Sequence, residues 1–143
     1  FAGCALGDAV ARRRSYLAQR LGTKVAGPKV TLVDDPLLRR AAASRGFDGE
    51  GLPTRRIEVV RHGVLRSFLL DSRSARRLDL RPTGSAAGGG GLPHASASNF
   101  FMAPGRMTPA TLRRGIRRGL YVQALMGLGF DPGTGELSRG AEG

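Results

Sequence analysis

Several residue types that mark particular protein classes are scarce in this chain. Its 143 residues include one cysteine, no tryptophan, two histidines and two lysines. Because Cys4 has no second cysteine to pair with, a disulfide scaffold is excluded, and a reducing cytoplasm is the simplest setting. The longest apolar runs are far shorter than the roughly 20 residues that a membrane span needs, so we expect no membrane association.

The charge is strongly unbalanced, with a formal net charge of +12. A basic surface raises nucleic acid as a partner, because arginines neutralise phosphates and release counterions. The basic residues nevertheless lie in small scattered groups, such as 12–14, 39–40 and 117–118, and form no single tract. We therefore expect no nucleic-acid partner, and electrostatics alone supports the alternative of a basic nucleic-acid-binding module.

The abundant residues predict short elements joined by many turns. With 22 glycines and 8 prolines, long helices should be few. Apolar residues from Ala5 to Leu21 recur at spacings of three and four, which predicts an N-terminal amphipathic helix. Two short helices are predicted, one from Ser72 to Leu78 and one from Thr108-Pro109 to Gly119. The remaining elements are strands, predicted at 28–34, 57–60, 64–70, 99–102, 120–126 (buried) and 136–138.

This order of elements indicates the α+β class, with a largely antiparallel sheet. The clearest unit is the β-hairpin of 55–70, in which Gly63 supplies the positive φ of a short connection. The segment 81–98 is so rich in glycine, alanine and serine that we expect a long flexible loop and no core element.

Residues for metal or nucleophilic catalysis are few. A zinc site needs several ligands converging on one point, yet His62 lies at the hairpin turn and His94 in the glycine-rich loop. Neither belongs to a His-Glu-x-x-His pattern, and no G-x-S-x-G elbow is present. We therefore expect no catalytic residue and no cofactor in this chain.

The segment 47–56 concentrates charge and glycine next to the hairpin. One interpretation is a salt-bridged turn, in which Asp48 and Glu50 pair with Arg55 and Arg56. The other is that the exposed backbone of this loop lines a peptide-binding groove beside a strand edge.

A family resemblance covers nearly the whole chain through short pieces in a fixed order. They are 47–55, 63–65, 68–70, 74–78, Thr83-Gly84, the glycine run, 118–120, 125–127 and 134–141. Together they resemble the C-terminal domain of the TldD/PmbA family, also called modulators of DNA gyrase. The chain 1–143 is then expected to be a fragment of one such domain.

The resemblance implies a cytoplasmic heterodimeric metallopeptidase that acts on peptides or unfolded proteins. In that family the TldD-type subunit carries zinc on a His-Glu-x-x-x-His helix and a later cysteine, whereas the TldE or PmbA type lacks these ligands. The second histidine position falls at Gly3, and the pieces 125–127 and 138–141 look like the PmbA side. We therefore expect a non-catalytic subunit, with zinc in a TldD-type partner.

The same resemblance suggests a peptide groove or subunit interface, and the alternative function becomes a basic nucleic-acid or gyrase-associated module. The residues expected at the groove or interface are Asp48, Glu50, Gly51, Thr54, Arg55, Gly84 and Asn99.

Overall fold

A four-stranded antiparallel sheet organises the fold. The computed structural model describes residues 1–127 and 129–142. After a 3-10 turn at Ala2–Ala5, the elements in chain order are α1 (Gly7–Ala11), β1 (Leu32–Asp34), β2 (Ile57–Arg61), β3 (Val64–Leu65), α2 (Ser72–Arg77), β4 (Ala86–Ala87), β5 (His94–Ala95), β6 (Phe100–Met102), α3 (Pro109–Arg114), β7 (Ala124–Met126) and β8 (Gly140–Glu142). Few helices and an antiparallel sheet confirm the predicted α+β class. In these described residues no helix is long and apolar enough to cross a membrane.

The strand order of the main sheet is β3-β2-β1-β6. The central strand β1 pairs with β2 on one side and with β6 on the other, with Val33 opposite Glu58 and Phe101. Beyond β3, Leu65 exchanges backbone hydrogen bonds with Gly22 and Thr23. That edge is therefore covered, whereas β6 ends the sheet on the other side.

The core lies where this sheet meets α1, α2 and the segment 66–70. This segment follows β3 in the chain and pairs with the N-terminal residues. Leu69 N–H donates to the Ala5 carbonyl, and Gly7 N–H donates to the Leu69 carbonyl. The fully buried apolar side chains include Val10, Leu17, Val33, Val59, Val60, Leu65, Leu69 and Leu70. Burial of such side chains stabilises each by about 1.5–3 kcal/mol before entropy is counted.

The predicted hairpin is confirmed, with a shorter second strand. His62 (φ 49°) and Gly63 (φ 81°) both adopt positive φ, as a two-residue connection between twisted strands requires. Only Val64–Leu65 pairs regularly with β2, because the N–H groups of Arg66 and Ser67 both donate to the single Val59 carbonyl and Leu69 then pairs with Ala5.

The predicted N-terminal amphipathic helix is wrong beyond its first turns. The helix α1 ends at Ala11, and Arg13 has a left-handed φ of 55° that no α-helix accommodates. The Ser15 hydroxyl donates to the Cys4 carbonyl at 2.6 Å, which draws the chain back and buries Leu17. The spacing of three and four thus reflects successive turns, such as the bond from Arg20 N–H to the Leu17 carbonyl.

The expectation of a flexible loop without core elements at 81–98 is also wrong. Strands β4 and β5 pair there, and Ala86 and Ala95 are almost completely buried. Small side chains make this packing possible, because a Cβ at Gly49 would lie 2.6 Å from the Ala87 carbonyl carbon. Only the tip of the hairpin, 88–92, is exposed throughout.

The C-terminal predictions are correct in kind and wrong in detail. Thr108 caps α3 and Pro109 begins it as predicted, but the helix ends at Arg114, before Gly119. The strand β7 spans Ala124–Met126 and is exposed along its length, so the expectation of a buried strand is wrong. Its partner β8 lies at Gly140–Glu142, later than the predicted 136–138, because Leu137 makes only an isolated bridge to Phe130.

Candidate functional site

Asp48 connects two loops that are distant in sequence. Its Oδ1 accepts backbone hydrogen bonds from Glu50 and Leu52, both at 2.9 Å, which fixes the turn at 48–52 as an Asx-type turn. Its Oδ2 accepts a third bond from Ala86 N–H at 3.1 Å. Since the side chain is buried, these three charge-assisted bonds hold the turn against β4.

Two neighbours of Asp48 fix the rest of this turn. Glu50 Oε2 accepts from the backbone N–H and the hydroxyl of Ser72, at 2.8 and 2.7 Å, and thereby ties the turn to the start of α2. The Thr54 hydroxyl donates to the Arg45 carbonyl at 2.6 Å. The predicted salt-bridged turn is therefore wrong, because Glu50 binds Ser72 and the Asp48 carboxylate is occupied by backbone N–H groups.

Arg56 follows the same pattern and pairs elsewhere. Its guanidinium lies 3.0 Å from Glu58 and 3.8 Å from Asp35, so its ion pairs are with carboxylates in and beside the main sheet. Arg55 is exposed and forms no ion pair with any carboxylate of the described residues.

A second segment, 81–84, faces this turn. Thr83 anchors it, because its hydroxyl accepts from Leu70 N–H at 2.7 Å and lies 2.9 Å from the Ser85 hydroxyl. Gly84 has a φ of +71°, and a Cβ there would lie 2.5 Å from the Pro53 carbonyl oxygen. The two segments therefore approach as closely as backbone atoms allow.

The cleft between these two segments encloses about 300 Å³. We call it the 55/81 cleft. Its lining residues are Leu52, Pro53, Arg55, Arg81, Pro82 and Gly84. Arg81 is exposed like Arg55 and has no ion-pair partner within 1–127 and 129–142.

Of the site residues predicted from sequence, only Arg55 and Gly84 line this cleft. Asp48, Glu50 and Thr54 fix the turn that precedes Arg55, and Gly51 lies within that turn. Sequence reasoning missed Arg81, which it placed in a flexible loop. The adjacent Pro82 was the available signal, since proline fixes φ and marks a restricted backbone.

Asn99 takes part in a different set of contacts. Its side-chain amide donates to the Asp35 carbonyl at 2.9 Å, and its oxygen accepts from Ala43 N–H at 3.2 Å. It therefore fixes the segment 35–44 beside β6 and does not line the 55/81 cleft.

Beside Asn99, the carboxylate of Asp34 is almost completely buried. Burial raises the pKa of Asp34, and the hydrogen bond from Ser98 N–H at 2.8 Å opposes that shift. A raised folded-state pKa contributes stability below the unfolded pKa, and this contribution is lost as the pH rises through the folded value. We expect Asp34→Asn to flatten the dependence of the unfolding free energy on pH above about 4, as measured by urea unfolding from pH 4 to 7. An unchanged slope would contradict this assignment, and Asp131→Asn, at an exposed turn, is the matched control.

Comparison with known proteins gives a consistent family. Residues 1–143 match the family model described as PmbA/TldA metallopeptidase C-terminal domain. The chain belongs to the PmbA/TldD family. The metalloprotease PmbA of Escherichia coli O157:H7 is 34% identical over 141 residues, which cover 99% of this chain and 30% of that protein. The chain thus spans about a third of the length of such PmbA/TldD relatives.

Two further relatives place the chain within the PmbA/TldD family. The Haemophilus influenzae homologue of metalloprotease TldD is 25% identical, covering 92% of this chain and 28% of the relative. A solved Thermotoga maritima structure, described as a candidate modulator of a DNA gyrase, superposes with a TM-score of 0.85 at 29% identity. It covers 96% of this chain and 32% of its own. The PmbA relative is thus more similar than the TldD homologue.

The PmbA/TldD family implies a metal, but the side chains here do not fit one. The described residues contain no group of three or more His, Cys, Asp or Glu side chains able to hold an ion. Gly3 offers no side chain, and its Cα faces open space in a cleft with Asp8 and Arg12. His62 and His94 are exposed on separate hairpins, and burial raises the pKa of the Cys4 thiol.

Proposed function

We propose that this chain is part of the non-catalytic subunit of a TldD/TldE-like heterodimeric peptidase in the cytoplasm. Its role is to present sheet and loop surface to peptides that a zinc-bearing TldD-type partner cleaves. The observation that carries the proposal is the greater similarity to the PmbA relative, at 34%, than to the TldD homologue, at 25%. Gly3 also supports the proposal, because a glycine has no side chain with which to bind a metal.

Two surfaces support peptide binding. The strand β6 ends the main sheet, so an extended peptide is able to add to it through backbone hydrogen bonds, largely independently of its sequence. The 55/81 cleft offers side-chain contacts with apolar walls and free guanidinium groups. Backbone pairing allows peptides of many sequences to bind, and the side chains of the cleft favour some of these peptides over others.

The decisive experiment uses the full-length protein and its TldD-type partner. We expect the two to co-purify, zinc to reside in the partner, and cleavage of an unfolded protein to require both subunits. The control is each subunit alone, with and without a chelator. Stoichiometric zinc in this subunit alone, or chelator-sensitive cleavage by it alone, would contradict the proposal.

A second candidate function is a basic nucleic-acid or gyrase-associated module. The observation that favours it is a long stretch free of acidic residues, from 80 to 130, which carries Arg81 and five further arginines on exposed surface. Such binding would weaken steeply with salt and ignore peptide. A competition of duplex DNA against peptide at two salt concentrations separates the two functions.

A further inference from the structure

We infer that the 55/81 cleft selects a carboxylate of the bound peptide, either an acidic side chain or the C-terminal group. This inference rests on the proposed function, because it names the chemistry of the peptide that the same surface accepts. It begins from two arginines, Arg55 and Arg81, that line one cleft although they are about 26 residues apart in sequence.

Both guanidinium groups are available to a ligand. Other arginines of the chain are already paired, such as Arg56 with Glu58 at 3.0 Å and Arg73 with Asp8 at 3.6 Å. Within the part of the chain that the structure describes, Arg55 and Arg81 have no such carboxylate, and both side chains are exposed. The nearby acids are committed, because Asp48 binds three backbone N–H groups and Glu50 binds Ser72.

The backbone that carries these arginines is fixed. One wall is held by the Asp48 and Thr54 bonds, and the other by Thr83 and by the close contact of Gly84 with Pro53. Because the backbone is fixed, only the freedom of the two arginine side chains is lost when a carboxylate binds.

The walls between the arginines are apolar. Leu52 and Pro82 are half-buried there, and Pro53 completes the surface. A volume of about 300 Å³ lies at the small end of the range for ligand sites. It suits one or two residues of an extended peptide, with the aliphatic part on the prolines and leucine and the carboxylate on the guanidiniums.

Binding of labelled peptides to the full-length protein tests the inference. Four versions of one otherwise uncharged sequence are compared by fluorescence anisotropy: an amidated neutral peptide, its free-acid form, an amidated form with one internal Glu, and the Gln equivalent. We expect the Glu peptide, the free acid or both to bind about tenfold more tightly than the neutral peptide, because charge-assisted bonds are the stronger ones. The peptide that binds more tightly shows whether the carboxylate comes from an acidic side chain or from the C-terminus.

The variants Arg55→Gln and Arg81→Gln are each expected to remove most of that gain. Arg66→Gln is the matched control, because Arg66 is exposed, lies on the hairpin and does not line the cleft. The gain should also shrink as salt is raised. Equal binding of all four peptides, or equal losses in Arg66→Gln and the two cleft variants, would overturn the inference. If the neutral peptide also fails to bind, the proposed function fails with it, whereas neutral binding without an acidic preference refutes the inference alone.

Discussion

Gly84→Ala is expected to destabilise the protein by roughly 3 kcal/mol. A left-handed conformation costs a residue with a Cβ about 1–2 kcal/mol, and overpacking against fixed atoms adds about 1–3 kcal/mol. Both costs apply here, since φ is +71° and the new Cβ would lie 2.5 Å from the Pro53 carbonyl oxygen. Urea unfolding followed by circular dichroism measures the change.

Gly51→Ala is the matched control for this substitution. Gly51 has a φ of +79°, yet no heavy atom lies within 4 Å of the Cβ that alanine would add. It should therefore lose only the conformational part, about 1–2 kcal/mol. Equal losses in the two variants would mean that the close approach of Gly84 to Pro53 adds no steric cost to the substitution, which would contradict the prediction.

Asp48→Ala is expected to cost a similar amount, about 3 kcal/mol, for a different reason. Truncation leaves the N–H groups of Glu50, Leu52 and Ala86 without their acceptor, and an unsatisfied buried group costs about 1–3 kcal/mol. The loss per group lies at the low end, because a relaxed turn admits water. Amide hydrogen exchange should show the same three positions becoming less protected.

Asp48→Asn separates the two halves of this bridge. An asparagine oxygen still accepts the bonds within the turn, but its NH₂ group cannot accept the Ala86 bond. We expect Asp48→Asn to lower the free energy of unfolding by about half as much as Asp48→Ala does. Amide hydrogen exchange should increase mainly at Ala86. Full loss of protection at Glu50 and Leu52 in this variant would contradict the division of roles between the two carboxylate oxygens.

The sequence predicted elements whose signal is local. The turn at His62-Gly63, the start of α2 at Ser72 and the Thr108-Pro109 start of α3 depend on residues within a few positions of one another. Composition and period identify such features, because the interactions that form them are short in range.

Elements that depend on distant partners were not predictable in the same way. The N-terminal periodicity suggested a helix to Leu21, but the Ser15 hydroxyl bond to the Cys4 carbonyl and the burial of Leu17 override it. The hairpin of β4 and β5 was missed because its low-complexity sequence gives no strand pattern, and Asp48, 38 residues away, supplies its anchor.

The candidate site shows the same division. Resemblance and charge density pointed to the wall of 48–55, whereas Arg81 and the absence of a salt-bridged turn required the tertiary contacts. Asn99 was grouped with the others on sequence grounds, and only its bonds to Asp35 and Ala43 reveal a separate role.

Two kinds of residue build the 55/81 cleft, and they are free to vary to different degrees. Asp48 and Gly84 set its shape, and their replacement removes stability together with the cleft. Arg55 and Arg81 are exposed and unpaired within the described residues, so exchanging them leaves the framework intact. Divergent descendants of this chain can therefore reverse or erase the charge of the cleft by one or two surface substitutions, without any compensating change in the protein interior.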